Sequence, residues 1–142
     1  MKVLLDTGPW VALIDRSESM HTLCMQWFET FTGTLYTTEA VLTEVLYLLN
    51  FSVQAQQAAL DFVLRKIVTL VPSDVHCLST IRWLIEKYAD LPMDFADATL
   101  VCLASESKIL HIATLDRRDF SIYRTVDGQM FTIFPQHPVP EV

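Results

Sequence analysis

The chain has 142 residues, the size of one domain with a core of its own. Half of it is apolar (51%) and 19% is charged, so it is not disordered, and three glycines with six prolines exclude collagen-like and low-complexity sequence. Seventeen acids against ten Lys and Arg give a net charge of -7, which excludes a globally basic nucleic-acid binder and leaves only a local basic rim.

Residues 2–6 (Lys-Val-Leu-Leu-Asp) form a short apolar run that Thr7-Gly8-Pro9 stops, which predicts a buried strand ending in a tight turn. Residues 19–31 predict a helix with His21, Cys24, Trp27, Phe28 and Phe31 at helical spacing. Its large groups, Met20, Met25, Trp27, Phe28 and Phe31, suit either a core face or a groove for a partner helix. Leu35-Tyr36 is a second short strand; Thr37 or Thr38 then caps a helix reaching about Asn50, and residues 53–66 form another. Residues 67–71, stopped by Pro72, are a third strand, after which Ser73 or Asp74 caps a helix to about Tyr88. Residues 94–107 are an almost wholly apolar helix, residues 108–114 a strand and residues 130–134 an edge strand. Strands separated by helices give an α/β chain: a three-layer α/β/α sandwich with a central, mostly parallel sheet and right-handed crossovers, one domain over residues 1–142.

No apolar run approaches the roughly 18 residues of a membrane helix. Asp6 interrupts the apolar start before a secretory leader can form, so a cytoplasmic chain is expected. Cys24, Cys77 and Cys102 are odd in number, far apart and without C-x-x-C spacing. They read as reduced core residues, not as a metal–thiolate site.

The acids carry more information. Asp6 and Asp116 stand where predicted strands stop, the edge where parallel sheets collect functional groups, although either could simply cap a following helix. At about 100° per residue, the apolar arc Val41, Leu42, Val45, Leu48 and Leu49 is centred roughly 120° from Glu44. Glu44 thus sits at the margin of the buried stripe, where a carboxylate needs a cation, whether an Arg, a Lys or a metal. Asp94 is a natural N-cap, and Asp97 follows on the first turn but shares a face with Leu100, Val101 and Ala104. Carboxylates gathered in one place repel one another unless divalent cations neutralise them, and oxygen-only ligands select Mg²⁺ or Mn²⁺ over Zn²⁺. His21, His76, His111 and His137 form no H-x-x-x-H pair and read as core or surface. An acid-only cluster on an α/β edge is the pattern of phosphodiester cleavage. Leu5-Asp6-Thr7-Gly8 also matches the Asp-Thr-Gly of aspartic proteases, but those folds are β-rich and this chain is mostly helical.

Leu4-Leu5-Asp6-Thr7, Thr43-Glu44-Val45, Asp94-Phe95-Ala96-Asp97-Ala98 and Thr114-Leu115-Asp116-Arg117-Arg118-Asp119-Phe120, in this order, resemble the PIN-domain nucleases, in particular the compact VapC-type ribonucleases of toxin–antitoxin pairs. The resemblance spans nearly the whole chain. It implies an acidic quartet of Asp6, Glu44, Asp97 and Asp116, with Thr114 supporting the last acid and Asp94 and Asp119 as additional acids. It also implies Mg²⁺- or Mn²⁺-dependent endonucleolytic cleavage of RNA to 5′-phosphate and 3′-hydroxyl ends, a homodimer, and a small antitoxin whose tail enters the groove. Asp6, Asp97 and Asp116 are the expected metal ligands, with Glu44 or a neighbouring acid orienting water. Arg117 and Arg118, with Arg82 and Lys108 behind them, are candidates for holding substrate phosphate. Gly8-Pro9 departs from the family, which often has a small polar residue there. The competing reading is a PIN-like module that binds RNA or protein without turnover. A phosphotransfer receiver domain is disfavoured, because Asp6 has no acidic neighbour and Thr114-Leu115-Asp116 offers no Lys.

Overall fold

The computed structural model describes residues 1–136, so residues 137–142, His137 among them, lie outside the description. It contains five strands: β1 (Lys2–Leu5), β2 (Thr34–Thr38), β3 (Val68–Val71), β4 (His111–Ala113) and β5 (Thr132–Phe134). All pair in parallel, in the order β3-β2-β1-β4-β5. Successive residues of a strand point to opposite faces, yet Val3, Leu4 and Leu5 of the central strand are all 0% exposed. Both faces of the sheet are therefore covered, which makes the chain the expected three-layer sandwich.

The covering helices are α1 (Thr7–Ile14), α2 (His21–Thr30), α3 (Glu39–Leu48), α4 (Val53–Leu64), α5 (Val75–Lys87), α6 (Phe95–Ser107) and α7 (Arg117–Ile122). Helix α1 packs on α2, α3 and α4, while α5 packs on α6. Several helices begin where the sequence places a capping side chain: the carboxylate of Asp74 accepts from Cys77 N–H, and that of Asp94 from Asp97 N–H. Trp27, Phe28 and Phe31 of the α2 region pack against the core, so the core reading of that helix holds. Trp27 stacks on Phe134 and Phe28 on Phe62. No helix among the described residues is long and apolar enough to cross a membrane.

Two elements differ from expectation. Thr7-Gly8-Pro9 is not a tight turn but the first turn of α1, where proline costs nothing because its missing N–H would have no helical partner anyway. Residues 117–122, which carry no helical apolar period, form the short helix α7. Both helices start directly after a strand-end aspartate, which fixes where Asp6 and Asp116 point.

Candidate active site

Asp6 ends β1 and caps α1, and Asp116 follows β4 and caps α7, so the capping reading of each strand-end acid is correct. Capping and convergence are compatible here, because both caps occupy the same sheet edge and neighbouring strands β1 and β4. Gly8 allows the two junctions to close on each other: a Cβ there would stand 3.2 Å from the Leu115 side chain. Its replacement of a small polar residue thus has a packing reason.

Thr114 ties the first and last acids together. Its hydroxyl donates to Asp6 Oδ2 at 2.7 Å and accepts from the Asp116 backbone N–H at 3.0 Å. The support that was expected for the last acid falls on the carboxylate of the first and on the backbone of the last. Asp6 Oδ1 accepts from Thr7 N–H at 2.8 Å, so both Asp6 oxygens are engaged. Thr7 also donates its hydroxyl to Glu44 Oε2 at 2.9 Å, which draws Glu44 of α3 toward the start of α1. Glu44 is half-buried, and the hydrogen-bond partners of Asp6, Glu44, Asp97 and Asp116 among the described residues include no Arg or Lys. The far end of its helix departs from the expected arc, since Leu48 is exposed while Val41, Val45 and Leu49 are buried.

Asp97 lies on the first turn of α6 and is 8% exposed. Its side chain meets one weak donor, the Tyr123 hydroxyl, at 3.4 Å. The carboxylates of Asp97, Asp116 and Asp119 each place an oxygen so that all three lie within 4.8 Å of one another. Asp119, given a supporting place by sequence, therefore belongs to the tight oxygen group. Asp6, expected as a ligand, has each carboxylate oxygen in one hydrogen bond, to Thr7 N–H and to the Thr114 hydroxyl, which leaves a lone pair on each for an ion. Tyr123 and Thr7 are the contacts that sequence reasoning missed: neither is acidic or basic, and only the folded chain shows what they touch.

The electrostatics follow from this packing. Burial pushes the Asp6 carboxyl up to about 6, against the pull of its Thr114 and Thr7 hydrogen bonds, and the Asp94 and Glu44 charges add to the rise. Asp97 goes up to about 8, first through burial and then through the charges of Asp6, Asp94, Asp116 and Glu44. Asp116 is also raised, by desolvation and by Asp119 and Asp94. The acids thus raise one another, as like charges near one another do when no cation lies between them. An all-oxygen donor set with excess negative charge fits a hard divalent cation.

The basic candidates are less concentrated. Arg117 gives Nη1 to the Pro135 carbonyl at 2.8 Å, and Arg118 is exposed beside it on α7. Arg82 is exposed on α5. Lys108 caps the other end of α6, a 13-residue helix about 20 Å long, and so is not beside the acids. Of the described histidines, His21 places Nδ1 2.6 Å from the Ala12 carbonyl oxygen, His111 packs on Phe134 and His76 is exposed; none of these three joins the acidic group.

Comparison with known proteins agrees with the fold. The chain is 28% identical over 135 residues to ribonuclease VapC26 of Mycobacterium tuberculosis, covering 94% of this chain and all of that protein. Its fold superposes on the Mycobacterium tuberculosis toxin VapC20, which cleaves the sarcin–ricin loop, with a TM-score of 0.72 at 20% identity, covering 78% of this chain and 86% of that one. It also superposes on DNA-bound VapBC from Salmonella typhimurium, with a TM-score of 0.64 at 20% identity, covering 94% and 98%. The PIN domain profile matches residues 3–125, a span that takes in every acid of the group, and the chain belongs to the PIN domain family.

Proposed function

We propose that the chain is a divalent-metal-dependent endoribonuclease, the toxin of a toxin–antitoxin pair. The observation that carries the reading is the oxygen group of Asp97, Asp116 and Asp119 within 4.8 Å, backed by Asp6 and Glu44 at the carboxyl edge of the sheet. Asp6, Asp97 and Asp116 would hold Mg²⁺ or Mn²⁺, with Asp119 close enough to Asp97 and Asp116 to join them. A bound ion supplies Lewis acidity at the scissile phosphate and balances the carboxylates.

The protein's own groups divide the remaining work. Thr7 fixes Glu44 through Oε2, leaving Oε1 to accept the proton of the attacking water. Attack on phosphorus breaks the bond to the 3′ oxygen, so a 5′-phosphate and a 3′-hydroxyl result. Thr114 holds Asp6 and the Asp116 backbone in fixed relation, so the acids keep their spacing as the ion comes and goes. Arg118, and the part of Arg117 not given to Pro135, would meet flanking phosphates. With a net charge of -7 over the whole chain, such contacts are few.

The surface supports a protein partner. Tyr47, Leu48, Phe51, Val53 and Leu64, on α3, α4 and the link between them, are exposed large apolar groups close together in sequence. They suit a homodimer or a small antitoxin, and the chain would work in the cytoplasm on cellular RNA.

The test is cleavage of a structured RNA by purified protein with Mg²⁺ or Mn²⁺, with chelator, and by Asp97→Asn. Cleavage that needs the ion and disappears in the folded variant is expected. A folded Asp97→Asn that still cuts overturns the assignment. A wild-type chain that binds RNA or a partner, yet cuts under neither ion, establishes the alternative, a PIN-like binding module without turnover.

A further inference from the structure

Further along α6 from Asp97, a second cluster of ligand-type side chains lies outside the acidic group. Cys102 and Glu106 stand one turn apart on α6, and Cys77 reaches them from the first turn of α5. The Cys77 thiol lies 3.5 and 3.6 Å from the two Glu106 oxygens, and the Cys102 thiol 3.8 Å from Oε1. One ligand atom from each of the three falls within 4.8 Å of the others. The two thiols are buried, whereas Glu106 is exposed and opens the cluster to solvent. A cavity of about 10 Å³, room for one water-sized occupant, borders Cys77 and Glu106.

Both thiols donate to Glu106 Oε1, and those two separations, 3.5 and 3.8 Å, are close to the sulfur–oxygen edges of a coordination tetrahedron. With zinc–sulfur bonds of about 2.3 Å and zinc–oxygen bonds of about 2.1 Å, a tetrahedron has sulfur–oxygen edges of about 3.6 Å. The sequence offered no C-x-x-C signature because the two cysteines come from different helices, and only the packing of α5 on α6 brings them together.

We infer that Cys77, Cys102 and Glu106 form a site for one thiophilic divalent cation of the zinc type, with water in the fourth position on the solvent side of Glu106. Binding exchanges two thiol protons, released to solvent, for two metal–thiolate bonds, and no electron is transferred. The ion clamps α5 to the second half of α6. Asp94 and Asp97 stand at the start of that same helix, so an occupied site stiffens the element that positions them. Two thiolates and one carboxylate select a softer ion than the all-oxygen group, so the two sites take different metals.

The probe is Co²⁺, titrated into metal-free protein under a non-thiol reductant. One equivalent should produce a sulfur-to-cobalt charge-transfer band with the visible bands of tetrahedral coordination, and added Zn²⁺ should abolish them. Glu106→Gln, at an exposed position that leaves folding intact, should weaken binding at least about tenfold, and Cys102→Ser should remove the band. Asp97→Asn and Cys24→Ser should leave it unchanged, which separates this site from the acidic one. A wild-type chain with no sulfur-to-cobalt band, or a Glu106→Gln chain of undiminished affinity, overturns the inference, whatever the outcome of the RNA cleavage test.

Discussion

Two helix starts at the carboxyl edge of the sheet show how burial acts on a carboxylate with and without partners. At the β1–α1 junction Asp6 is 7% exposed and receives two hydrogen bonds, from Thr7 N–H and the Thr114 hydroxyl. On the first turn of α6 Asp97 is 8% exposed and, among the described residues, receives only the distant Tyr123 hydroxyl. Nearly equal burial leaves Asp6 at about 6 and Asp97 at about 8. Hydrogen bonds offset part of the desolvation cost at Asp6, whereas at Asp97 the charges of Asp6, Asp94, Asp116 and Glu44 add to it and, among the described residues, only the distant Tyr123 hydroxyl opposes it. A buried carboxylate with few donors and several like charges around it has the most to gain from a cation.

Removing the unsatisfied acid should have the largest effect. Asp97→Asn is expected to lower metal-dependent RNA cleavage about a thousandfold, the equivalent of about 4 kcal/mol of transition-state stabilisation. Single-turnover cleavage at saturating Mn²⁺ measures it.

Stripping Asp6 of its partner should make it resemble Asp97. Thr114→Val leaves one Asp6 oxygen and the Asp116 N–H without their mate, a loss of about 1–3 kcal/mol by denaturant unfolding, and Thr114→Ser should recover most of it.

The sequence showed much of this contrast but not its cause. Asp97 was legible because a carboxylate in Phe-Ala-Asp-Ala-Thr-Leu-Val-Cys-Leu-Ala has no solvent face to occupy, and Asp94 because it precedes that run as a cap. Asp6 and Asp116 were legible as strand ends. The distinction between them was not, because it depends on a hydroxyl that is 108 positions from Asp6 in the chain. Helix α1 was hidden by Gly8-Pro9, which reads as a turn although both residues are tolerated in a first turn. Helix α7 was too short and too charged to show a period, and with it went the approach of Asp119 to Asp97. The Cys77–Cys102 pairing followed from helix packing, which no local pattern encodes.

The pH response should separate the two acids. A carboxyl raised in the folded chain keeps its proton above the unfolded value of 3.8, so its stabilising contribution is complete in acid and is lost as pH rises through the folded value. Metal-free protein should therefore lose melting temperature from about pH 3.8 upward, through both acids as far as about 6 and through Asp97 alone from there to about 8, and level off above that. Asp97→Asn should abolish the upper part of that loss and melt higher than wild type in mild alkali, as read by thermal scans in chelator.

Smallest of all is the change expected from Tyr123→Phe. Its hydroxyl is 3.4 Å from Asp97, so deletion should cost below about 1 kcal/mol of stability and leave cleavage within about threefold of wild type.

Calorimetric titration of Mn²⁺ at neutral pH, below the value of about 8 to which Asp97 is raised, run side by side on wild type and Asp97→Asn, is the most direct test that the acidic group is a cation site built around a buried carboxylate. Wild type should bind with proton release, because the ion displaces the proton that Asp97 retains, and the variant should lose both the binding heat and the released proton. Equal heats from the two proteins, or no heat from either, would contradict it.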